Sequence, residues 1–286
     1  MVSKATLITG CSTGIGRATA IQLASAGFPV YATARHPDTI ADLAEHGCHP
    51  LQLDVTDESS MRKAVEFIEA EHGSVGVLVN NAGYGLEGPV EELSVDEMRL
   101  EFETNLFGPT RLTQLVLPAM RNQGWGKIVN LSSLAGIITI PGGGAYHASK
   151  HALEALSDAL RFELQGFGID VIVVEPGAIK TRWVETAVEG LKLSEQRRSN
   201  DSPYAALTRA LSEQLRGAHE GLLGLTAGSP ELVARTIERA ITSARPRTRY
   251  LVPAISQVFV STYRWLPDRF WDALMRRRYP VPGGSE

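Results

Sequence analysis

The chain has 286 residues, 43% apolar and 21% charged, with 28 basic against 32 acidic residues and a net charge of -4. A chain of that length buries roughly 75% of its unfolded surface in one large core, and 27 glycines with 15 prolines are too few for a disordered or collagen-like polymer. The near-balanced charge provides no field to gather phosphate polymers, which argues against nucleic acid as a partner.

Two cysteines, Cys11 and Cys48, cannot form a disulfide framework, and no Cys/His spacing resembles a metal site. A reducing cytoplasm is the expected home. The first apolar run, Ala5-Thr6-Leu7-Ile8-Thr9, is too short for a secretory signal, and nothing approaches the ~20 apolar residues of a membrane span. The sequence predicts a soluble protein.

Taken in chain order, short apolar runs at 4–9, 29–34, 49–54, 76–80, 126–132, 169–175 and 249–252 predict seven strands. Amphipathic stretches near 15–26, 38–46, 57–72, 94–121 and 146–166 lie between the first six and predict helices. Val171-Ile172-Val173-Val174 is apolar on both faces, as in a parallel strand covered by helices on each side. The alternation predicts a doubly wound α/β domain with a mostly parallel seven-stranded sheet. Its ligand belongs beyond the carboxyl ends of the strands, at the switch point.

The pattern loosens over 178–228, which predicts a helical substrate lid. Ser229 is expected to cap a helix whose first residue is Pro230. The chain therefore reads as one domain over 1–286. A cofactor and catalytic core spans 5–181 and a lid 182–228; a final helix, last strand and aromatic tail follow over 229–286.

After the first strand comes Thr9-Gly10-Cys11-Ser12-Thr13-Gly14-Ile15-Gly16, opening a helical stretch. Glycines here permit a tight turn, close approach of a pyrophosphate, and packing of the helix on the strand. The free N–H groups of the helix start suit the phosphates of a dinucleotide. Cys11 reads as a small loop residue, with no neighbour in sequence to make it a thiolate.

The T-G-x-x-x-G-x-G spacing resembles that of the short-chain dehydrogenase/reductase family, and later motifs follow in order. They are Asn80-Asn81-Ala82-Gly83, Asn105, Ser133, Tyr146-x-x-x-Lys150 and Pro176-Gly177. The match covers about residues 5 to 181. It implies a Rossmann-type fold and a nicotinamide cofactor cradled by Gly10, Ser12, Thr13, Gly14, Ile15 and Gly16. It also implies adenine contacts at Asp54 and Val55, an adenosine side lined by Asn81, Ala82 and Gly83, and a nicotinamide loop of Pro176, Gly177, Ile179 and Thr181. Helices at 94–121 and 146–166 would form the contacts of a homodimer or homotetramer.

The second strand, Val30-Tyr31-Ala32-Thr33-Ala34-Arg35, bears on which dinucleotide is bound. NAD sites use an acid near this strand end to hold the ribose 2′-OH, but Ala34 stands there. Arg35 follows, and a guanidinium suits bidentate contact with a 2′-phosphate. The expected cofactor is NADP(H) rather than NAD(H).

Tyr146 and Lys150 are four apart, stacked one helical turn apart on one face. An ammonium beside a phenol favours the phenolate and is expected to lower its pKa from about 10. Such a Tyr exchanges a proton with a substrate oxygen as hydride moves to or from the nicotinamide, and both residues also hold the cofactor. The resemblance makes Ser133 the serine whose hydroxyl hydrogen-bonds the reacting oxygen, with Ser132 turned to the other face if the strand continues. The resemblance gives Asn105 a water-mediated proton relay to Lys150. His147 and His151 turn toward other faces and read as structural or solvated.

Leu86, Ala135, Trp183 and Val184 are candidate substrate-lining residues, Trp183 suggesting an apolar or ring-bearing substrate or simply packing the lid. The tail holds Tyr250, Phe259, Tyr263, Trp265, Phe270, Trp271 and Tyr279. Asp268 is expected to cap a short helix ending in Arg276-Arg277-Arg278. That tail suits packing over the core or the substrate mouth, an oligomer contact, or an anionic lipid surface, with the first two favoured.

The expected function is an NADP(H)-dependent oxidoreductase interconverting a carbonyl and an alcohol on a small molecule. Resemblance of the second strand and tail to hydroxysteroid and retinol dehydrogenases suggests a lipophilic substrate. The alternative is a non-enzymatic sensor of the NADP redox state, disfavoured by the intact Asn105, Ser133, Tyr146 and Lys150.

Overall fold

The computed structural model describes residues 2–181, 183–196, 202–217 and 227–283. Seven strands form one sheet: β1 (Thr6–Ile8), β2 (Val30–Ala34), β3 (Cys48–Gln52), β4 (Val77–Asn80), β5 (Gly126–Leu131), β6 (Ile169–Pro176) and β7 (Arg249–Val252). Their spatial order is β3-β2-β1-β4-β5-β6-β7, and every neighbouring pair is parallel. β1 pairs with β2 on one side and β4 on the other, Ile8 lying level with Ala32 and Val79. The order reverses at β1, so the crevice beyond its carboxyl end is where a ligand fits.

Side-chain alternation splits β1 between two cores. Ile8 joins Leu23, Val30, Val129 and Ile172 on one face of the sheet, while Leu7 joins Tyr31, Leu78, Leu112 and Ile128 on the other. The first face is covered by α1 (Gly14–Ser25) and, further along the chain, by a helix over Pro230–Thr242. The second is covered by α2 (Glu58–His72), α4 (Gly108–Gln123) and α5 (Gly144–Leu164), with α3 (Val95–Phe102) leading into α4. Helices on both faces explain why Val77–Val79 of β4 and Val171–Val174 of β6 are apolar at every position rather than alternating.

Three local readings are refined. The stretch at 94–121 is not one regular helix: α3 and α4 are joined by a π-helical turn at Glu103–Phe107, a feature often found at functional sites. The stretch at 38–46 is a 3-10 helix over Pro37–His46 closed by Gly47, left-handed at φ 78°. The tail helix starts at Asp268, but Pro267 is its N-cap and Asp268 makes no cap hydrogen bond. Proline there cannot be replaced by an acceptor one residue late; Asp268 instead places its charge in the first turn, where the helix dipole favours it.

The stretch expected as a lid holds two helices, α6 (Trp183–Gln196) and α7 (Ala205–Gly217). The expected helix start holds: in α8 (Pro230–Thr242) Ser229 accepts from the Leu232 amide at 3.3 Å. The tail folds into α9 (Ser256–Trp265) and α10 (Asp268–Arg278). Among the described residues no helix is long and apolar enough to cross a membrane.

Candidate active site

The glycine loop joins β1 to α1 at the switch point. Thr13 is the extended N-cap of α1, so the first N–H groups of the helix point out of the loop. Gly10 and Gly14 take left-handed φ values of 73° and 61°. Gly16 has another constraint: a Cβ there would press on the Gly10 carbonyl, 2.9 Å from its carbon, and on the Asn81 amide. Asn81 is the brace, its Nδ2 donating to the carbonyls of Thr9 at 2.8 Å and Gly10 at 3.0 Å. Thr9 returns the link through Oγ1, which accepts from the amides of Asn81 and Ala82. Sequence reading placed Asn81 and Ala82 beside the adenosine; it missed that they also hold the loop shut.

Beside the loop lies a cleft of about 690 Å³ lined by Ser12, Thr13 and Gly14 on one side and Lys180 and Thr181 on the other. Thr181 approaches Gly14, whose Cβ would meet its Cγ2 at 3.3 Å. Ile15 is partly buried against the core, and Ile179 is buried and pairs with Gly228 in a parallel bridge. Cleft, helix start and basic side chain fit the diphosphate of a dinucleotide. A larger hollow of about 910 Å³ by Trp125 and Thr248 sits at the amino ends of the strands, away from all predicted site residues.

At the end of β2, Arg35 is exposed and its guanidinium has no ion pair among the described residues, while Ala34 occupies the place of an acid. Arg17, one turn into α1, is by contrast held by Asp42. Asp54 follows β3 and accepts from the Thr56 amide at 2.9 Å and hydroxyl at 2.7 Å; Val55 is buried beside it. Pro176 ends β6, and Gly177 donates to the Val252 carbonyl at 2.7 Å.

Four side chains converge where β4, β5 and α5 meet. Ser133 follows β5 and accepts from the Ala135 amide at 3.1 Å. Its hydroxyl donates to the Pro176 carbonyl at 3.5 Å and lies near enough to the Tyr146 phenol to pull its pKa down. Lys150, one turn on along α5, donates to the Leu131 carbonyl at 2.9 Å and stands 5.8 Å from the Tyr146 ring centroid. A Cβ on Gly83 would lie 2.8 Å from Asn105 Oδ1 and 3.6 Å from Lys150 Nζ, so these three residues border one space. Asn105 sits in the π turn. Its Nδ2 donates to the Tyr84 carbonyl at 2.8 Å and Ser149 Oγ at 3.1 Å, and its Oδ1 accepts from the Tyr84 amide. Ser132 is buried, its Oγ lying beside Gly136, which also meets Glu154 of α5.

The electrostatics differ from the expectation that Lys150 lowers the Tyr146 pKa. Burial pushes the Tyr146 phenol well above its ordinary value, opposed by the Ser133 hydrogen bond and reinforced by Glu87 and Glu101. Burial also pushes the Lys150 ammonium down to about 8, opposed by Glu101 and Glu154. Lys150 spends its hydrogen bond on a backbone carbonyl, and desolvation of the phenol exceeds what a cation at that distance returns. With its pKa raised by burial, the Tyr146 phenol keeps its proton at neutral pH.

Sequence reading overlooked Glu87 and Glu101. Glu101 is fully buried one turn before Asn105, its Oε1 accepting from the Leu86 amide at 2.9 Å, and burial raises its carboxyl to about 7. The i, i+4 spacing with Asn105 was the available signal. Glu87 carried none beyond being an acid in an otherwise uncharged loop.

Of the expected lining residues, Trp183 packs on Tyr146 with centroids 5.2 Å apart and covers Gly85. Leu86 and Ala135 flank the same region through their bonds to Glu101 and Ser133, while the Val184 side chain lies outside the described residues. His147 is buried, edge-on to Tyr146. His151 bonds back to the His147 carbonyl. Cys11 is inert packing: its Sγ donates to the Ile8 carbonyl, and burial pushes the thiol up to about 12. The tail closes over the site's outer side. Trp271 Nε1 donates to the Thr139 carbonyl at 3.0 Å, and Tyr279 is buried against Leu191, Leu207 and Leu211 of the lid.

A doubly wound sheet with a braced glycine turn at its switch point and a Ser–Tyr–Lys group on the same edge defines a nicotinamide-dependent oxidoreductase. The family described as short chain dehydrogenase matches residues 4–192. A 3-ketodihydrosphingosine reductase of Bacteroides thetaiotaomicron is 36% identical over 281 residues, covering 96% of this chain and 97% of the relative. An NADPH-dependent 3-dehydrocapnine reductase of Ornithobacterium rhinotracheale is 34% identical, with 94% of each chain covered. The crystal structure of a short-chain dehydrogenase from Streptomyces avermitilis superposes with a TM-score of 0.77 at 32% identity, covering 96% of each. The chain belongs to the short-chain dehydrogenase/reductase family and is an NAD(P)-dependent oxidoreductase.

Proposed function

We propose that the protein reduces a ketone or aldehyde on a lipophilic small molecule, with NADPH as the preferred cofactor. The observation that carries this reading is the buried Tyr146 phenol, with Lys150 one turn along α5 and its Nζ 5.8 Å from the ring centroid, and Ser133 beside it. Bound NADPH would supply the hydride. Tyr146 would donate its proton to the carbonyl oxygen as negative charge develops there. Ser133 would hold that oxygen through its own hydroxyl, and Lys150 would stabilise the phenolate left behind. Asn105, anchored to Tyr84 and Ser149, keeps the space between Gly83 and Lys150 open for the water that returns a proton. Trp183 against Tyr146 and the lid helices supply an apolar cover that excludes bulk water. The names of the two reductase relatives agree with carbonyl reduction, one of them with NADPH.

Arg35 supports the choice of NADPH, being an unpaired guanidinium at the end of β2 beside Ala34. A charge-assisted bond to phosphate contributes about 1.5–3 kcal/mol. Arg35→Ala is expected to raise the KM for NADPH roughly 10- to 100-fold and the KM for NADH less than threefold. Equal changes in steady-state assays with the two cofactors would remove Arg35 from 2′-phosphate recognition.

Lys150 adds a pH dependence. With its ammonium pushed down to about 8 by burial, it is charged below that pH and neutral above it. kcat/KM for reduction is therefore expected to fall about tenfold per unit above that point. In Lys150→Arg the guanidinium keeps its proton, so the alkaline limb should vanish from the profile whatever the absolute rate. A limb unmoved by the substitution belongs to another group.

A further inference from the structure

Glu101 is the last residue but one of α3 and is 0% exposed. Asn105 follows one turn later in the π turn, and the two side chains meet, Asn105 Nδ2 standing 3.5 Å from Glu101 Oε1. The same Oε1 accepts from the Leu86 amide at 2.9 Å. The other end of the Asn105 amide leads on to the lysine. A Cβ on Gly83 would lie 2.8 Å from Asn105 Oδ1 and 3.6 Å from Lys150 Nζ. One asparagine side chain therefore has a buried carboxyl at its nitrogen end and a buried ammonium near its oxygen end.

The second oxygen of Glu101 is what the fold alone does not explain. Oε2 is buried and has no hydrogen-bond partner among the described residues. A carboxylate in that condition is costly unless a positive charge offsets it. Lys150 is the cation whose charge favours the ionised form of Glu101. The relation is mutual. Lys150 is buried and donates to the Leu131 carbonyl at 2.9 Å, and of the charges that hold its proton Glu101 contributes the most, followed by Glu154.

Glu154 follows Lys150 by one turn of α5, but its Oε2 lies 3.0 Å from Arg249 Nη2, so its charge is already met. Asp158 and Glu175 face the same guanidinium. The remaining titratable groups about the pair hold their protons at neutral pH. Burial raises Tyr146 and, to about 12, Tyr84, while burial and Glu101 together raise Glu87 to about 8. Glu101 is thus the acid near Lys150 that no arginine claims.

We propose that Glu101 is the counter-charge of Lys150, a positioning residue acting across Asn105 to keep the lysine an ammonium while Tyr146 gives up its proton. This deepens the carbonyl-reducing reading, on which it rests, by naming the group that sets its alkaline limit. When the phenol proton passes to the carbonyl oxygen, a buried phenolate remains and needs the ammonium beside it. Desolvation drives Lys150 toward the neutral amine. A carboxylate in direct contact would oppose that but would also take an N–H and cancel the charge. One held at a distance raises the proton affinity and leaves the N–H groups free.

Glu101→Gln keeps an oxygen for the Leu86 amide and removes the charge. Losing a negative charge near a buried ammonium lowers its pKa, so the alkaline limb of kcat/KM for carbonyl reduction is expected to move down by about one pH unit. At pH 6, where Lys150 is charged in both proteins, the rates should agree within about threefold, and at pH 9 the variant should be about tenfold slower than wild type. A loss from damaged packing would lower both ends of the profile alike. Glu101→Asp, which retains the charge, should leave the limb within about 0.3 unit of wild type whatever its absolute rate. Glu154→Gln should move it less than Glu101→Gln does. A limb unmoved in Glu101→Gln, or moved further by Glu154→Gln, overturns the assignment.

A titration without turnover decides the pairing independently. In protein labelled with ¹³C at the lysine ε carbons, the Lys150 resonance is identified by its loss in Lys150→Arg. Its NMR midpoint is expected at about 8 in wild type, about one unit lower in Glu101→Gln and close to wild type in Glu101→Asp. Equal midpoints in wild type and Glu101→Gln overturn the counter-charge while the carbonyl-reducing reading stands. A shifted midpoint in a protein that reduces no carbonyl overturns that reading and leaves the pairing of Glu101 with Lys150 in place.

Discussion

Tyr146→Phe is expected to lower carbonyl reduction about 10³-fold or more while NADPH binds with near wild-type affinity. The substitution keeps the ring that packs against Trp183 and removes one hydroxyl from a fully enclosed position. In the proposed reaction that hydroxyl gives the proton, and positioned acid-base catalysis contributes about 10² to 10⁴ in rate. The same change deletes a hydrogen bond to the developing oxyanion, and one such donor is typically worth about 10² to 10³. The two contributions are not additive, because proton and hydrogen bond act on one oxygen. Loss of absorbance at the reduced-nicotinamide band measures the rate, and fluorescence titration with NADPH measures binding. Turnover within tenfold of wild type would place proton transfer elsewhere. Weakened cofactor binding of the same size as the rate loss would mean that the ring, not the hydroxyl, is what matters.

The second large effect lies at Gly16. Its backbone is ordinary helix, so alanine is conformationally acceptable, yet a methyl group would meet the Gly10 carbonyl and the Asn81 amide. Neither neighbour yields cheaply: one is backbone, and the other makes two hydrogen bonds that shut the loop. Gly16→Ala is expected to cost about 2–4 kcal/mol, at or above the usual range for overpacking. In a chain of this size that lowers Tm by roughly 5–12 °C. NADPH affinity should fall at least about tenfold with it, because the loop must open to relieve the contact. Gly190→Ala in α6 is the control, with nothing within 4 Å of its Cβ and no left-handed backbone. It should leave Tm unchanged or raise it slightly, since alanine is the better helix former by about 0.5–1 kcal/mol. Equal behaviour of the two variants in thermal melts would show that the Gly16 contact is relieved without cost.

The glycine loop also shows how far sequence reading reaches. Gly10, Gly14 and Gly16 stand out in the sequence as one motif, but they are required for two separate reasons. The first two adopt left-handed backbone, and the third leaves room for two facing groups. The difference depends on where Asn81 lies, 65 residues further along the chain, and nothing local encodes that. The π turn is a similar case. The apolar period over 94–121 is legible, but the break at Glu103–Phe107 follows from Asn105 reaching across to Tyr84 and Ser149.

Periodicity and spacing alone determined the parts of this protein that are local or repetitive. Those are seven strands in their chain order, helices on both faces, the one-turn stacking of Tyr146 over Lys150, and a basic residue where an acid would read a bare ribose. These are legible because the period of a strand or helix and the reach of four residues are properties of the backbone itself. Only the folded chain decided the state of the groups that meet in the pocket. Lys150 turned to the Leu131 carbonyl, burial kept the Tyr146 phenol protonated, and Glu101 came near enough to Glu87, from a different element, to help raise its carboxyl. The physical reason is that a proton affinity depends on the water and charge surrounding a group, and in a parallel sheet those surroundings are assembled from segments far apart in sequence.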